Sequence, residues 1–379
     1  MSERQPEIAF FTSDLRVGGA KHCLINLIEN LSGRGLRIDL VLQRAEGPLV
    51  AAVPESVRVL SLGTTSASSG VVRLAAYLER SRPEHVVSML MEPNLIALRA
   101  RAKSGRSVSV FTWEHENVGF SLSHEPWYRR HWIQWSIRRS YPAAERVLAV
   151  SQGVAGNLRK ILGPDSGRIH VLPGALLRPD LVERMAETPD HPWFRDGGPP
   201  IVLAVGRLNH VKGFPVLLRA FALVRRSQNV RLLILGDGPR RSRLEQLIRR
   251  LDLSEHVALP GFAANPFSYM SRVRMLVLPS YSEGLPGVLI EALACGCPVV
   301  STNCDYGPRE ILQDGLFGEL VPPGSPRSLA AGILKALSAP GRRVEPDLLS
   351  PYRVDRVADR FLELLRPERS DDGGKTHGK

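Results

Sequence analysis

Apolar runs of four to seven residues recur along the chain, and the stretches between them carry apolar positions at helical spacing. In the first half IAFF (8–11), RIDLVL (37–42), VRVLSL (57–62), HVVSML (85–90), VSVFTW (108–113) and RVLAVS (146–151) read as strands. Helical spacing fits near 19–33, 70–81, 94–102, 125–141 and 153–162. From Pro173 to Pro200 the pattern lapses into P-G, R-P-D, T-P-D-H-P and D-G-G-P-P, the residues of turns and linkers. A second series then begins: IVLAVG (201–206), RLLILG (231–236), HVALPG (256–261), RMLVLPS (274–280), PVVST (298–302) and GELVP (318–322) as strands. Helices fit near 213–227, 239–251, 266–271, 286–295 and 325–338, and a last helical pattern covers 351–365.

Strand–helix alternation from end to end predicts an α/β protein of two doubly wound, Rossmann-like domains facing each other across a cleft. The boundaries follow from the punctuation: residues 1–174, a linker over 175–200, and a second domain over 201–345. A helix within 346–366 is expected to cross back to the first domain, and the polar tail 367–379 reads as disordered. A length of 379 residues is more than one core usually serves, which agrees with two domains.

Composition changes the picture in several ways. A hydrophobic share of 43% with 23% charged residues is that of an ordinary globular protein. The polar start, with only a short apolar run after it, argues against a signal peptide, and no run approaches the roughly 18–20 apolar residues of a membrane span. Four cysteines suit a reducing compartment, so a cytoplasmic location is expected. Cys295, Cys297 and Cys304 lack the paired spacing of a zinc site and read as buried thiols. The net charge of +12 favours anionic partners such as phosphate-bearing substrates or anionic lipid.

The most informative segment is SEGLPGVLIEALACGCPVVST (282–302). Glu283 follows a buried-type strand, Gly284-Leu285-Pro286 forms a loop into a helix, and Glu291 lies eight residues after Glu283. Helical rise would set the two carboxylates roughly 12 Å apart. That spacing suits the two hydroxyl-rich ends of a sugar nucleotide, with helix-terminal amides facing the anionic middle. In VGRLNHVKGF (205–214), Arg207 and Lys212 leave the end of a strand together, and two cations there can neutralise a departing diphosphate. No D-x-D occurs, so the usual metal clamp on such a donor has no obvious ligands, and neither metal nor cofactor is expected. LGDGP (235–239) fails as a dinucleotide fingerprint and reads equally as a nucleotide-side turn or a structural one.

In their order and spacing, GRLNHVKG, GDGP, LPGF (259–262) and the E-x7-E block resemble glycosyltransferase family 4, retaining enzymes of GT-B architecture, and within it bacterial cell-surface polysaccharide enzymes. The likeness is densest over 201–323 and extends to RVGGAKHCLINLIENL and AERVLAVSQGV. It implies that Arg207 and Lys212 hold the donor diphosphate, Glu291 the ribose hydroxyls, and Glu283 with the Gly284 and Leu285 amides the transferred sugar. Gly18 and Gly19 match the family's glycine loop near donor and acceptor. His115, in FTWEHEN, matches a histidine near the donor sugar, with Glu114 and Glu116 leaving that assignment open. Leu172-Pro173-Gly174 replaces the family's proline-asparagine step, and Gly307-Pro308-Arg309-Glu310 fits a subset. The implied reaction is metal-independent transfer from a nucleoside-diphosphate sugar, UDP favoured over GDP, to a glycan or lipid-linked acceptor. An epimerase or hydrolase of the same fold, or a non-catalytic nucleotide-sugar-binding protein, remain alternatives; nucleic acid is not an expected partner.

WYRRHWIQWSIRRSY (127–141) holds three of the five tryptophans and four arginines without one acidic residue. On a helix Trp127, Tyr128, Trp132 and Trp135 share a broad arc, with Ile133 and Ile137 nearly opposite. Two placements are open: tryptophans in the core, or an aromatic–cationic face turned out toward an anionic membrane surface.

Overall fold

The computed structural model describes residues 5–123, 125–339 and 344–366. The first domain runs β1 (Ile8–Thr12), α1 (Gly19–Gly33), β2 (Ile38–Leu42), β3 (Arg58–Ser61), α2 (Ala67–Ser81), β4 (His85–Met89), α3 (Met91–Ser104), β5 (Ser109–Glu114), α4 (Val118–Ser123), α5 (Trp127–Ser140), β6 (Arg146–Ala149), α6 (Gln152–Leu162) and β7 (Ile169–Val171). After α7 (Leu181–Ala186) the second domain runs β8 (Ile201–Val205), α8 (Phe214–Val224), β9 (Arg231–Leu235), α9 (Arg241–Arg250), β10 (Val257–Gly261), α10 (Pro266–Met270) and β11 (Met275–Leu278). It continues through α11 (Gly287–Ala294), β12 (Val299–Thr302), α12 (Pro308–Ile311), β13 (Glu319–Val321) and α13 (Pro326–Ser338). α14 (Pro346–Leu349) and α15 (Val354–Leu365) close the described chain.

All the strand pairs are parallel, in the orders β3-β2-β1-β4-β5-β6-β7 and β10-β9-β8-β11-β12-β13. Helices cover both faces of each sheet, which is why β1, β2, β6, β11 and β12 are buried at every position. Each sheet separates two apolar clusters.

α15 belongs to the first domain. Val354, Val357, Ala358, Phe361, Leu364 and Leu365 recur at helical spacing and are buried, while Asp355, Asp359 and Arg360 face outward. Phe361 stacks on Phe10 of β1 at 5.7 Å, and the Arg34 guanidinium donates to Asp359 at 2.6 Å. Outgoing and returning chain run side by side, the Leu176 and Leu177 amides both donating to the Tyr352 carbonyl at 3.0 Å.

The structure differs from the sequence expectations at several places. β7 is a three-residue strand too short to show a pattern, and α4 fills a stretch to which the pattern assigns no element. Residues 175–200 are no featureless tether: Leu176 and Leu177 are buried in a second-domain cluster, with Leu181, Met185, Trp193 and Phe194 packed against it. α11 starts only at Gly287, so Glu283 lies in irregular backbone and a helical rise of 12 Å does not describe its separation from Glu291. The tail expected over 367–379 lies outside the described residues.

Candidate functional site

Each sheet has one point where strand order reverses, between β1 and β4 and between β8 and β11. Loops leaving the carboxyl ends of strands at such a point open the crevice in which α/β sheets bind ligands. In the second sheet these loops are 206–213 and 279–286, which carry Arg207, Lys212, Glu283, Gly284 and Leu285.

The two loops are locked together. The Tyr281 amide donates to the Val211 carbonyl at 2.7 Å. Lys212 Nζ donates to Glu283 Oε1 at 2.7 Å, and the fully buried Ser280 hydroxyl donates to the same oxygen at 2.6 Å. Only 9% of the Glu283 side chain is exposed, against 24% for Lys212. The carboxylate and the ammonium thus share one spot, so a ligand that engages either must contend with both. Gly213 has φ 64°, and a Cβ there would strike the Pro279 carbonyl, its carbon 3.0 Å away, so both conformation and contact demand glycine. Arg207 stands exposed with no side-chain hydrogen bond among the described residues.

Gly236-Asp237-Gly238 underlies this loop. The Leu208 amide donates to the Asp237 carbonyl and the Arg240 amide to the Leu208 carbonyl, both at 2.9 Å. A Cβ on Gly236 or Gly238 would meet the backbone of Gly206 or Leu208 at 2.9 Å or less. Of the two readings of LGDGP the geometry favours the structural turn, a support for Arg207.

Glu291 lies on α11, half-buried. Burial pushes its carboxyl up to about 7, and the Arg184 guanidinium of α7 pulls the other way. Near neutrality a modest gain of hydrogen-bond donors would fix it as the anion.

The first domain supplies the opposite wall. α1 begins at Gly19, and Gly18 is extended at φ 174°. A Cβ at either glycine would meet nothing within 4 Å, so neither a strained turn nor packing within the chain explains the pair. Open space beside a helix start is room for a ligand's approach. His115 directly follows β5, 9% exposed, with its ring 4.5 Å from that of Trp113. Burial and then the Lys21 ammonium hold its imidazole down at about 3, so it is neutral at physiological pH. Glu114 is not in the cleft: it lies wholly buried beneath, accepting hydrogen bonds from Asn94 Nδ2 at 2.9 Å and from the Tyr141 hydroxyl.

The two walls touch. A Cβ on Gly284 would collide with the His115 carbonyl, whose carbon lies 2.8 Å away, and the Ser151 hydroxyl donates to the Gly284 carbonyl at 2.8 Å. Glu310 accepts the Gln152 amide at 3.5 Å, at the start of α6, and Gly153 lies under the Tyr306 ring. Leu285 packs on both domains' clusters. Sequence reasoning missed Ser151 and Lys21, and named Glu310 only within a segment that fits a subset of the family. Ser151 has a visible signal, an N-cap serine directly after a strand, bonded to the Val154 amide at 3.2 Å. Lys21 reads in sequence as a surface lysine yet is 6% exposed. α5 turns its aromatic arc outward: Trp127, Trp132 and Trp135 are 75%, 55% and 60% exposed, while Ile133 and Ile137 are buried.

Two facing doubly wound domains, with loops gathered at the switch point of the second, define the GT-B architecture. A family model described as glycosyl transferases group 1 matches residues 187–347, and one described as Glycosyltransferase Family 4 matches residues 17–176. The chain belongs to these family 4 type glycosyltransferases. It is similar to an N-acetylgalactosamine-N,N'-diacetylbacillosaminyl-diphospho-undecaprenol 4-alpha-N-acetylgalactosaminyltransferase of Campylobacter jejuni, 34% identical over 193 residues. That match spans about half of either protein, 51% of each. The lipopolysaccharide 1,6-galactosyltransferase of Salmonella typhimurium is 27% identical over 76% of this chain and 75% of its own length. In fold, Anabaena Alr3699/HepE in complex with UDP and glucose superposes with a TM-score of 0.76 at 20% identity, over 95% of this chain and 99% of that one.

Proposed function

We propose that this protein transfers a glycosyl unit from a nucleoside-diphosphate sugar, UDP favoured over GDP, to a glycan or lipid-linked acceptor in cell-surface polysaccharide assembly. The observation that carries this reading is the Lys212–Glu283 pair at the second sheet's switch point, set against the Gly284–His115 contact between the domains. The relatives' names support the acceptor class, and the UDP held by the Anabaena protein, alike in fold, is the support for the preferred base.

Arg207 and Lys212 stabilise the charge that develops on the leaving diphosphate, the task a divalent metal performs elsewhere, so transfer is metal-independent. Glu283, released from Lys212 as the diphosphate arrives, accepts the hydroxyls of the transferred sugar, with the Gly284 and Leu285 amides beside it. Glu291 accepts those of the ribose. Neutral His115 hydrogen-bonds the sugar without donating a full positive charge. The acceptor enters from the side of Gly18 and Gly19 and attacks the face the diphosphate leaves, which retains configuration. α5 brings the enzyme to an anionic leaflet as a peripheral protein: its exposed tryptophans suit the headgroup level and its arginines the surface charge. Among the described residues no helix is long and apolar enough to cross a membrane.

The test is a panel of UDP-, GDP- and ADP-sugars, scored by thermal shift and then by nucleotide release with and without acceptor. Acceptor-dependent release from a UDP-sugar, unchanged by EDTA, is expected. Turnover without acceptor would mark an epimerase or hydrolase, and loss in EDTA restored by Mg²⁺ would refute the account of the leaving group.

A further inference from the structure

Lys21 is placed at a cost that the fold does not repay. It sits in the first turn of α1, where the helix dipole disfavours a cation, and it is 6% exposed. The only hydrogen bond of its ammonium among the described residues joins it to the Thr12 hydroxyl at the end of β1. An ammonium carries three donors, so two have no partner among the described residues. The charged groups facing it are Asp14 from the β1–α1 loop and Glu116 from the β5–α4 loop, and neither forms an ion pair with it. Asp14 is drawn to Arg16, whose backbone amide donates to it at 3.1 Å. Burial outweighs both carboxylates and brings the amine down to about 8.

A second group points the same way. His115, whose imidazole feels the Lys21 charge, has a buried Nε2 with no partner among the described residues. Two under-satisfied polar side chains, each more than nine-tenths buried, lie together beside the open helix start at Gly18 and Gly19. A buried cation that no carboxylate pairs directly is costly, and an anion brought by a ligand lowers that cost.

We propose that Lys21, with His115, forms a site on the first-domain wall for one oxyanion of the substrate, a phosphate ester or a sugar carboxylate. The inference rests on the donor reading above, with the UDP moiety bound to the second domain. Lys21 is then a specificity-determining residue: it selects acidic substrates through two charge-assisted hydrogen bonds and leaves nucleotide binding alone.

The experiment is calorimetric titration of the full chain, loaded with saturating UDP, with inorganic phosphate, D-glucuronate and D-glucose. Phosphate or glucuronate should bind and glucose should not; a response to phosphate alone indicates a phosphorylated acceptor, one to glucuronate alone an acidic sugar. Lys21→Met should weaken the anion at least tenfold, and Lys21→Arg should keep it within about threefold. UDP affinity should stay within about twofold in both variants. Since Lys21→Met removes a buried unpaired charge, its Tm should hold or rise, whereas a structural lysine would lower it. No anion binding by UDP-loaded wild type would overturn the proposal. So would loss of UDP affinity in Lys21→Met, which would place the amine on the donor diphosphate. Failure of wild type to bind UDP at all would instead fault the donor reading.

Discussion

Gly284→Ala isolates the contact between the two walls from everything else in the site. The added Cβ would stand 2.8 Å from the His115 carbonyl carbon and 3.3 Å from the Glu116 Cα, and closer still to the His115 oxygen. Ordinary van der Waals contact begins near 3.4 Å, and the atoms in the way are backbone, which cannot rotate aside. The loop therefore has to withdraw from the first domain by roughly an ångström, a misplacement that costs about a hundredfold in turnover. That is about 2.7 kcal/mol of barrier. The Ser151–Gly284 hydrogen bond, 2.8 Å long, would stretch beyond its range. Neither domain's core is touched, so Tm should change little. Acceptor-dependent nucleotide release measures kcat, and scanning fluorimetry measures Tm. A variant that keeps kcat within threefold would refute the view that this contact belongs to the working geometry. A large fall in Tm would show that the contact holds the fold instead.

Glu291→Ala should lose about 1.5–3 kcal/mol, chiefly as a rise in donor KM, because a charge-assisted ribose hydrogen bond is lost. Lys212→Ala should depress kcat more than KM, and equal pure KM effects would reject the division of roles. Trp132→Ala combined with Arg138→Ala should abolish salt-sensitive co-sedimentation with anionic liposomes without unfolding; wild type that fails to bind at low salt would reject the membrane face. Glu114, pushed by burial from 4.5 to about 7, contributes stability that is complete below pH 4.5 and is lost as pH rises through 7. Glu114→Gln should thus gain on the order of 2 kcal/mol relative to wild type between pH 5 and pH 8, read as a pH-dependent difference in Tm. An identical difference at both values would contradict a buried, high-pKa carboxyl.

Long, near-continuous apolar strands and well-spaced helices made the two-domain α/β plan legible, down to a terminal helix whose stripe of Val354, Val357, Phe361 and Leu364 declared a buried face. Elements below a full period were not: β7 has three residues, and α4 has six. In the site, loop motifs marked which residues gather at the second switch point, because glycine and proline record backbone demands directly. Distances were another matter. Helical rise misjudged Glu283, which sits four residues before α11 begins, and nothing in the sequence pairs it with Lys212 at 2.7 Å. Contacts between the domains, such as Ser151 with Gly284, join residues 133 apart in the chain and leave no local trace. Lys21 shows the limit most plainly, since charge type predicts exposure and only tertiary packing buries it.

The return of α15 to the first domain has a consequence for how the chain folds. The second sheet and its helices are drawn from one continuous stretch, β8 to α13. The first domain is not: Phe361 stacks against Phe10, and the Arg146 side chain reaches the Leu364 carbonyl across 218 positions. Domains emerging from a ribosome usually fold as units in order of synthesis. Here that order is inverted. A nascent chain released only through residue 353 holds every described strand of both sheets and Leu349 of the second core, but finishes only the second domain. The first must wait, its α1 side uncovered over Phe10, for the last turns of helix to arrive. Truncation before Val354 should leave an intact second domain tethered to an aggregation-prone first one, although none of the described residues removed lies in the cleft.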